Sequence, residues 1–166
     1  MSKIVFFDID GTLHYSGIGI PQSAVKAVNQ LIANGHKAVM CTGRSKGMMP
    51  EEYFHMGFHG MILGAGAYVE YEGKVIHREL MTKQEVQTVI DWGKKQKIGI
   101  ILEGEQHGYY DPDNHDDYYV AMKNKTEVDC ETTLYPISEA VDVAKWTYHH
   151  ICLLYTSPSP RDSTSS

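Results

Sequence analysis

Cysteine, tryptophan and phenylalanine are scarce in these 166 residues, with three, two and four copies. Cys41, Cys130 and Cys152 lack motif spacing, so neither a disulfide framework nor a thiol metal cluster is indicated. Cys41 lies in an apolar stretch and reads as a small core residue. Positive charge is also short: 15 Lys and Arg stand against 21 Asp and Glu, a formal net charge of -6. With no basic stripe, the balance argues against nucleic-acid binding. No apolar run approaches a membrane span, and the amino terminus opens on a strand pattern rather than a signal peptide. The expectation is a cytoplasmic protein with no membrane partner. A hydrophobic content of 42% gives room for a buried core.

What is present begins at residue 4. Ile4-Val5-Phe6-Phe7 reads as a strand covered on both faces, as in a parallel α/β sheet. It runs into Asp8-Ile9-Asp10-Gly11-Thr12-Leu13, which places two carboxylates at the strand's carboxyl end, where open α/β sheets bind ligands. One carboxylate can act as a covalent catalyst toward phosphoryl groups while a second, two residues on, shuttles the proton. Gly11 permits the turn and Thr12 offers a hydroxyl. The plainer alternative is a solvated turn or a helix cap. After a Gly-punctuated loop, Pro21 begins a helix with Ala24, Val25, Val28, Leu31 and Ile32 at helical spacing, and Gly35 ends it. A second strand, Ala38 to Cys41, finishes in Thr42-Gly43-Arg44. Gly43 lets the backbone approach an anion, and the helix expected to open at Arg44 would add its positive end. Arg44 has two readings: a bidentate phosphate grip, or a solvated first-turn residue.

In these two motifs the chain resembles the haloacid dehalogenase-like phosphohydrolases, whose first motif is Asp-x-Asp-Gly-Thr-Leu/Val and whose second is a Thr or Ser after the next parallel strand. The resemblance implies that Asp8 is the nucleophile, that Asp10 is the general acid/base, and that Thr42, Arg44 and the Gly11 and Gly43 loops bind phosphate. It also implies Mg²⁺, held in part by Asp8 and Asp10. The fold implied is α/β: part of a Rossmann-like parallel sheet, the N-terminal half of the core, with a partial α+β cap of the Cof-type, type IIB subgroup. In that frame a helix spans Met48 to Met56 and a third strand Met61 to Leu63, followed by Gly64-Ala65-Gly66-Ala67. Subgroup members usually carry Asn-Gly-Ala here, so Ala65 stands where an Asn is expected. A hairpin follows over 67–80, turning at Glu72-Gly73-Lys74. A helix with a Thr82/Glu85 capping box runs from Thr82 to about Lys97. Strands over 98–102 and 108–110, a short helix from Asp116 to Met122, and a strand from Ala144 to His149 complete the pattern.

The family's third motif, a Lys, and its fourth, Gly-Asp-x-x-x-Asp, follow the cap, and the chain contains no Gly-Asp dipeptide. Asp8 and the Asp10 carbonyl alone should bind metal poorly. Cys152 to Ser166 resembles the in-frame translation of a sequencing-library adapter, which sets the expected organisation: 1–80 as the N-terminal part of the core, 81–151 as a partial cap, and 152–166 as an artefactual, disordered tail. Such a half-core should expose an unpaired strand edge.

His55 and His59, four apart, invite a metal site but lack a third ligand. His149-His150 reads as a strand end, and Tyr109, Tyr110, Tyr118 and Tyr119 as packing, though an aromatic there could touch a sugar. The expected function of the intact protein is a Mg²⁺-dependent phosphatase of small phosphorylated metabolites such as sugar phosphates. Two alternatives remain: a non-catalytic binding protein of the same fold, and a metal-dependent Asp-x-Asp glycosyltransferase.

Overall fold

Runs of three to seven residues, many of them β-branched or aromatic, build two sheets in the computed structural model, which describes residues 1–149. His150 and the adapter-like run lie outside the described residues. The first sheet has the order β1 (Ile4–Phe7), β2 (Lys37–Cys41), β3 (Gly60–Leu63), β4 (Tyr68–Tyr71), β5 (Lys74–Arg78). β1, β2 and β3 are parallel, with α1 (Gln22–Ala33) and α2 (Glu51–Phe54) in the crossovers that parallel neighbours require. β4 and β5 form the expected antiparallel hairpin. Val28 of α1 is buried, and Ala24, Leu31 and Ile32 pack with it against Ile9, Met40 and Leu63.

Two expectations fail here for identifiable reasons. β1 is not covered on both faces. Phe7 packs on the core, whereas Ile4 and Phe6 are 55% and 58% exposed, and no described strand pairs with the outer edge of β1. The open edge is the one expected of a half-core. The helix from Met48 to Met56 is also broken. Lys46–Met48 forms one 3-10 turn, Met49 is extended, and α2 spans only Glu51–Phe54 behind Pro50. Proline has no N–H to give and bars its predecessor from helical geometry. The break sends Met49 into the core of the first sheet and Met48 into that of the second.

The second sheet has the order β8 (Leu134–Pro136), β7 (Gly108–Tyr110), β6 (Gly99–Gly104), β9 (Val143–His149). β6 is buried along its whole length. Its Ile100 and Leu102 meet Val86, Val89 and Ile90 of α3 (Lys83–Gln96). Ile101, from the other face, meets Tyr119 and Met122 of α4 (Asp117–Asp129) together with Met48. α3 starts in the expected capping box: the Glu85 N–H donates to the Thr82 hydroxyl at 3.3 Å and the Thr82 N–H to the Glu85 carboxylate at 2.7 Å. α4 runs on to Asp129 rather than stopping at Met122, because its apolar residues are scattered around the helix and periodicity undercounts it. β8, which contains Pro136, had no strand signal. The packing reading holds for Tyr109 and Tyr119, both buried, the Tyr119 hydroxyl donating to the Ile100 carbonyl at 2.8 Å, and fails for Tyr118, which is exposed.

The turn Gly64–Gly66 holds Ala65 at φ 57°, a left-handed conformation that costs a side chain with a Cβ about 1–2 kcal/mol. Asn tolerates this region better. Ala65→Asn is expected to stabilise the fold by about 0.5–1 kcal/mol and raise Tm by a few degrees. An unchanged or lower Tm in scanning calorimetry would contradict the left-handed assignment. The open edge of β1 predicts self-association that grows with concentration and is reduced in Phe6→Lys; sedimentation velocity reads both.

Candidate active site

Ile9 is fully buried, and the two-residue period of extended chain throws its neighbours Asp8 and Asp10 together onto the exposed side. The Thr12 hydroxyl donates to Asp8 Oδ2 at 2.9 Å. Gly11, at φ 80°, turns the chain so that the N–H groups of Thr12, Leu13 and His14 converge on the Ile9 carbonyl at 3.2, 3.0 and 2.8 Å. The Gly11 N–H itself donates to the His14 carbonyl at 3.0 Å. Gly11, expected among the phosphate donors, thus contributes the turn while its own N–H is committed. Behind the loop, His14 Nδ1 lies 2.5 Å from the Tyr53 hydroxyl, and burial pushes that phenol up to about 12.

The parallel register sets Phe7 opposite Met40, which brings the end of β1 alongside Thr42. Thr42 is buried; its N–H donates to the Ile62 carbonyl at 2.9 Å, and its Oγ1 accepts from the Arg44 N–H at 3.2 Å. Among the described residues the buried Ser45 hydroxyl finds no hydrogen-bond partner. No α-helix opens at Arg44, so the positive helix end expected there is missing.

Arg44 is not the solvated first-turn residue of one of its two sequence readings, since its side chain is only 10% exposed. Its Nε donates to Asp10 Oδ2 at 2.9 Å and its Nη2 to Oδ1 at 2.5 Å, a bidentate clamp on the second carboxylate. Its Nη1 donates to the carbonyl of Asp129, at the end of α4, at 3.0 Å. Burial disfavours the guanidinium charge, but the Asp10 hydrogen bond and the nearby Cys130, Asp10 and Tyr53 hold the Arg44 pKa above its ordinary value. Burial likewise pushes the Cys130 thiol up to about 11, so it is an inert core residue.

The second sheet supplies contacts that the motifs did not announce. Ser16 donates to the Asp129 carboxylate at 2.6 Å. Glu103 accepts from the Ser45 N–H at 3.2 Å and from the Thr147 hydroxyl at 2.7 Å, and pairs with Lys145 at 2.9 Å. Lys145 also donates to the Gly43 carbonyl at 2.8 Å. The one sequence hint was a carboxylate, Glu103, directly after the apolar run Ile100-Ile101-Leu102.

Among the described residues no group of three or more His, Cys, Asp or Glu side chains could hold a metal ion. His59 Nδ1 accepts the Ala38 N–H at 3.3 Å, and His55 lies 3.9 Å from Glu51, so the histidine pair is not a ligand set. Asp8 and Asp10 fall short of the octahedral oxygen shell that Mg²⁺ demands, and Arg44 already occupies both Asp10 oxygens.

Residues 5–150 match the family model described as haloacid dehalogenase-like hydrolase. Over 104 residues the chain is 29% identical to the Bacillus subtilis (strain 168) protein YkrA, whose name assigns it provisionally as a phosphatase; the match covers 63% of this chain and 40% of YkrA. A solved hypothetical protein from Geobacillus kaustophilus HTA426 superimposes with a TM-score of 0.69 at 24% identity, over 89% of this chain and 57% of that one. The HAD subclass IIB sugar phosphatase BT4131 superimposes with a TM-score of 0.67 at 23% identity, over 89% and 58%. BT1666 from Bacteroides thetaiotaomicron, a phosphatase of the same superfamily, gives 0.67 at 20%, over 89% and 56%. The chain therefore spans between two-fifths and three-fifths of the length of these relatives. The three solved structures show the fold, and the family match sets aside the glycosyltransferase reading of Asp-x-Asp.

Asp129 ties α4 to the first loop. Burial raises its pKa, but hydrogen bonds from Lys125 and Ser16 and the charges of Lys125 and Arg44 outweigh it and hold the carboxyl below its usual 3.8. A carboxylate with a lowered pKa stabilises the fold above the unfolded-state value and loses that stabilisation as pH falls through the folded-state value. Asp129→Asn is expected to cost about 0.5–1 kcal/mol at pH 7, with the difference shrinking as the pH is taken below 3.8. Thermal melts across pH check it; a pH-independent difference would contradict the ionic origin.

Proposed function

The chain belongs to the haloacid dehalogenase-like hydrolases, and we propose that the complete protein is a Mg²⁺-dependent phosphatase of small phosphorylated metabolites, sugar phosphates among them. One observation carries this reading: Asp8 and Asp10 share one exposed side around the buried Ile9, at a strand end whose register sets them beside Thr42. Relatives named as phosphatases support the reaction class.

In the proposed reaction an Asp8 oxygen attacks phosphorus as the bond to the leaving oxygen breaks, and Asp10 gives that oxygen its proton. Water then attacks the aspartyl-phosphate, Asp10 takes the proton back, and phosphate leaves with Asp8 regenerated. Arg44 donors occupy both Asp10 oxygens, so proton transfer at Asp10 needs Arg44 to release one of them, and a phosphoryl group beside Thr42 offers the guanidinium an alternative anion. Thr42 and the Gly43 loop would hold the phosphoryl oxygens. The Asp8 carboxylate and the Asp10 carbonyl would be the chain's own donors to Mg²⁺, which supplies charge neutralisation when bound.

Residues 1–80 would form the catalytic core portion and 81–151 the covering unit that selects the substrate. Among the described residues no helix is long and apolar enough to cross a membrane, and the proposed partner is a small molecule rather than a nucleic acid.

Asp8→Asn in the complete protein is expected to lower phosphate release by about a thousandfold or more while leaving the circular dichroism spectrum unchanged. Turnover that survives the change would reject Asp8 as the nucleophile. The 166-residue chain itself should show no measurable Mg²⁺-dependent hydrolysis of hexose phosphates; hydrolysis by this span would show that its donor set suffices.

A further inference from the structure

Two successive peptide planes flank the Cα of Arg44, and side chains of opposite charge from the second sheet hold one each. The first plane contains the Gly43 carbonyl and the Arg44 N–H; Lys145 Nζ donates to that carbonyl at 2.8 Å. The second contains the Ser45 N–H, which donates to Glu103 Oε2 at 3.2 Å. Glu103 and Lys145 are direct cross-strand partners on β6 and β9, joined at 2.9 Å, and Thr147, two residues along β9 on the same face, donates to the same Glu103 oxygen at 2.7 Å. Glu103 is only 6% exposed. A carboxylate so buried is costly unless every oxygen is matched, and such pairs contribute more to geometry than to stability.

The backbone is shaped to admit this contact. A Cβ on Gly47 would lie 2.4 Å from the His107 N and 2.5 Å from the Gln106 carbonyl carbon, so only glycine lets the segment after Arg44 approach the β6–β7 turn this closely. One residue on, Met48 is 2% exposed within the second sheet's apolar cluster. The loop that carries Thr42 and Arg44 is thus seated in the second sheet rather than merely lying beneath it.

Resting on the phosphatase reading of this loop, we propose that Glu103 and Lys145 are positioning residues for phosphoryl binding. Together they fix the two peptides around Arg44, and Lys145 adds a cation at the loop's edge, so that the loop binds a dianionic phosphoryl group well only when the second sheet is docked. Neither residue is a nucleophile or a proton carrier in this account. Their action runs through the orientation of Arg44 and the loop.

The test uses the 166-residue chain with two readouts: amide hydrogen exchange by NMR, and binding of inorganic phosphate by calorimetry. Glu103→Gln keeps the shape and one acceptor but loses the charge. It should speed Ser45 exchange by about tenfold or more, the scale of one lost charge-assisted hydrogen bond, while Val39 and Met40 in β2 stay within about twofold. Lys145→Met should do the same at Arg44 and weaken phosphate binding by about tenfold, and Lys145→Arg should restore most of both. If Glu103→Gln does not fold, the Lys145 pair decides. Unchanged exchange at Ser45 and Arg44, or exchange rising equally in β2, would overturn the proposal, as would phosphate binding indifferent to Lys145→Met. A wild-type chain that binds no phosphate would instead reject the phosphoryl reading of the loop, and the exchange data would still decide whether the pair orients it.

Discussion

One guanidinium holds the two halves of this molecule in register. Arg44 reaches Asp10 through two nitrogens and the last carbonyl of α4 through a third, so the loop after β1, the loop after β2 and the end of α4 meet on a single planar group. A lysine could offer charge there but not three directions in one plane. The carbonyl of the same residue accepts the Gly64 N–H at 2.7 Å, which adds the turn after β3 to the junction. Four chain segments far apart in sequence are thereby fixed relative to one another at the carboxyl ends of the parallel strands.

The apolar packing agrees with that junction. Met48 and Met49 are consecutive, yet the first belongs to the core of the second sheet and the second to the core of the first. An extended residue at Met49, enforced by Pro50, makes the divergence possible, since neighbours in extended chain point to opposite sides. A continuous helix through this stretch would have carried Met48 away from the second sheet's apolar cluster. The break therefore allows the Thr42–Ser45 loop to be gripped by both layers. The Arg78 guanidinium, donating to both oxygens of the Glu105 carboxylate at 2.8 and 2.9 Å, adds a further bridge between β5 and the β6–β7 turn.

Local chemistry made most elements legible. Short apolar runs marked β1 and β2, a 3.6-residue pattern marked α1, turn residues marked the hairpin, and the Thr82/Glu85 box marked the start of α3. Failures came where apolar spacing alone misled: Pro50 cut a helix whose apolar spacing looked continuous, and α4 extended past its apolar signal. In the site, Asp8, Asp10 and Thr42 were readable because the chain itself sets their spacing. Glu103 and Lys145 were not, since their partnership exists only through the pairing of β6 with β9, and no local window contains both. Arg44 was visible as a residue, but its partner was not, because Asp10 reaches it only through the register of β1 on β2.

The two sides of the site lie in opposite environments, and this orders their contributions to any reaction. Thr42, Ser45 and Glu103 are buried, so donors on that side act in a medium where each hydrogen bond to an anion is strong. Asp8 and Asp10 are exposed, and water competes for their oxygens. Arg44 joins the two sides with a side chain 10% exposed, against 53% for the Asp10 that it clamps. A phosphoryl group entering from the open side would meet the carboxylates first and the buried donors last. It could gain the Arg44 contact only as Asp10 lost it, which couples anion binding to freeing the Asp10 carboxylate. Within this span, then, the Thr42–Ser45 side is desolvated, whereas the Asp8 and Asp10 carboxylates stand open to water.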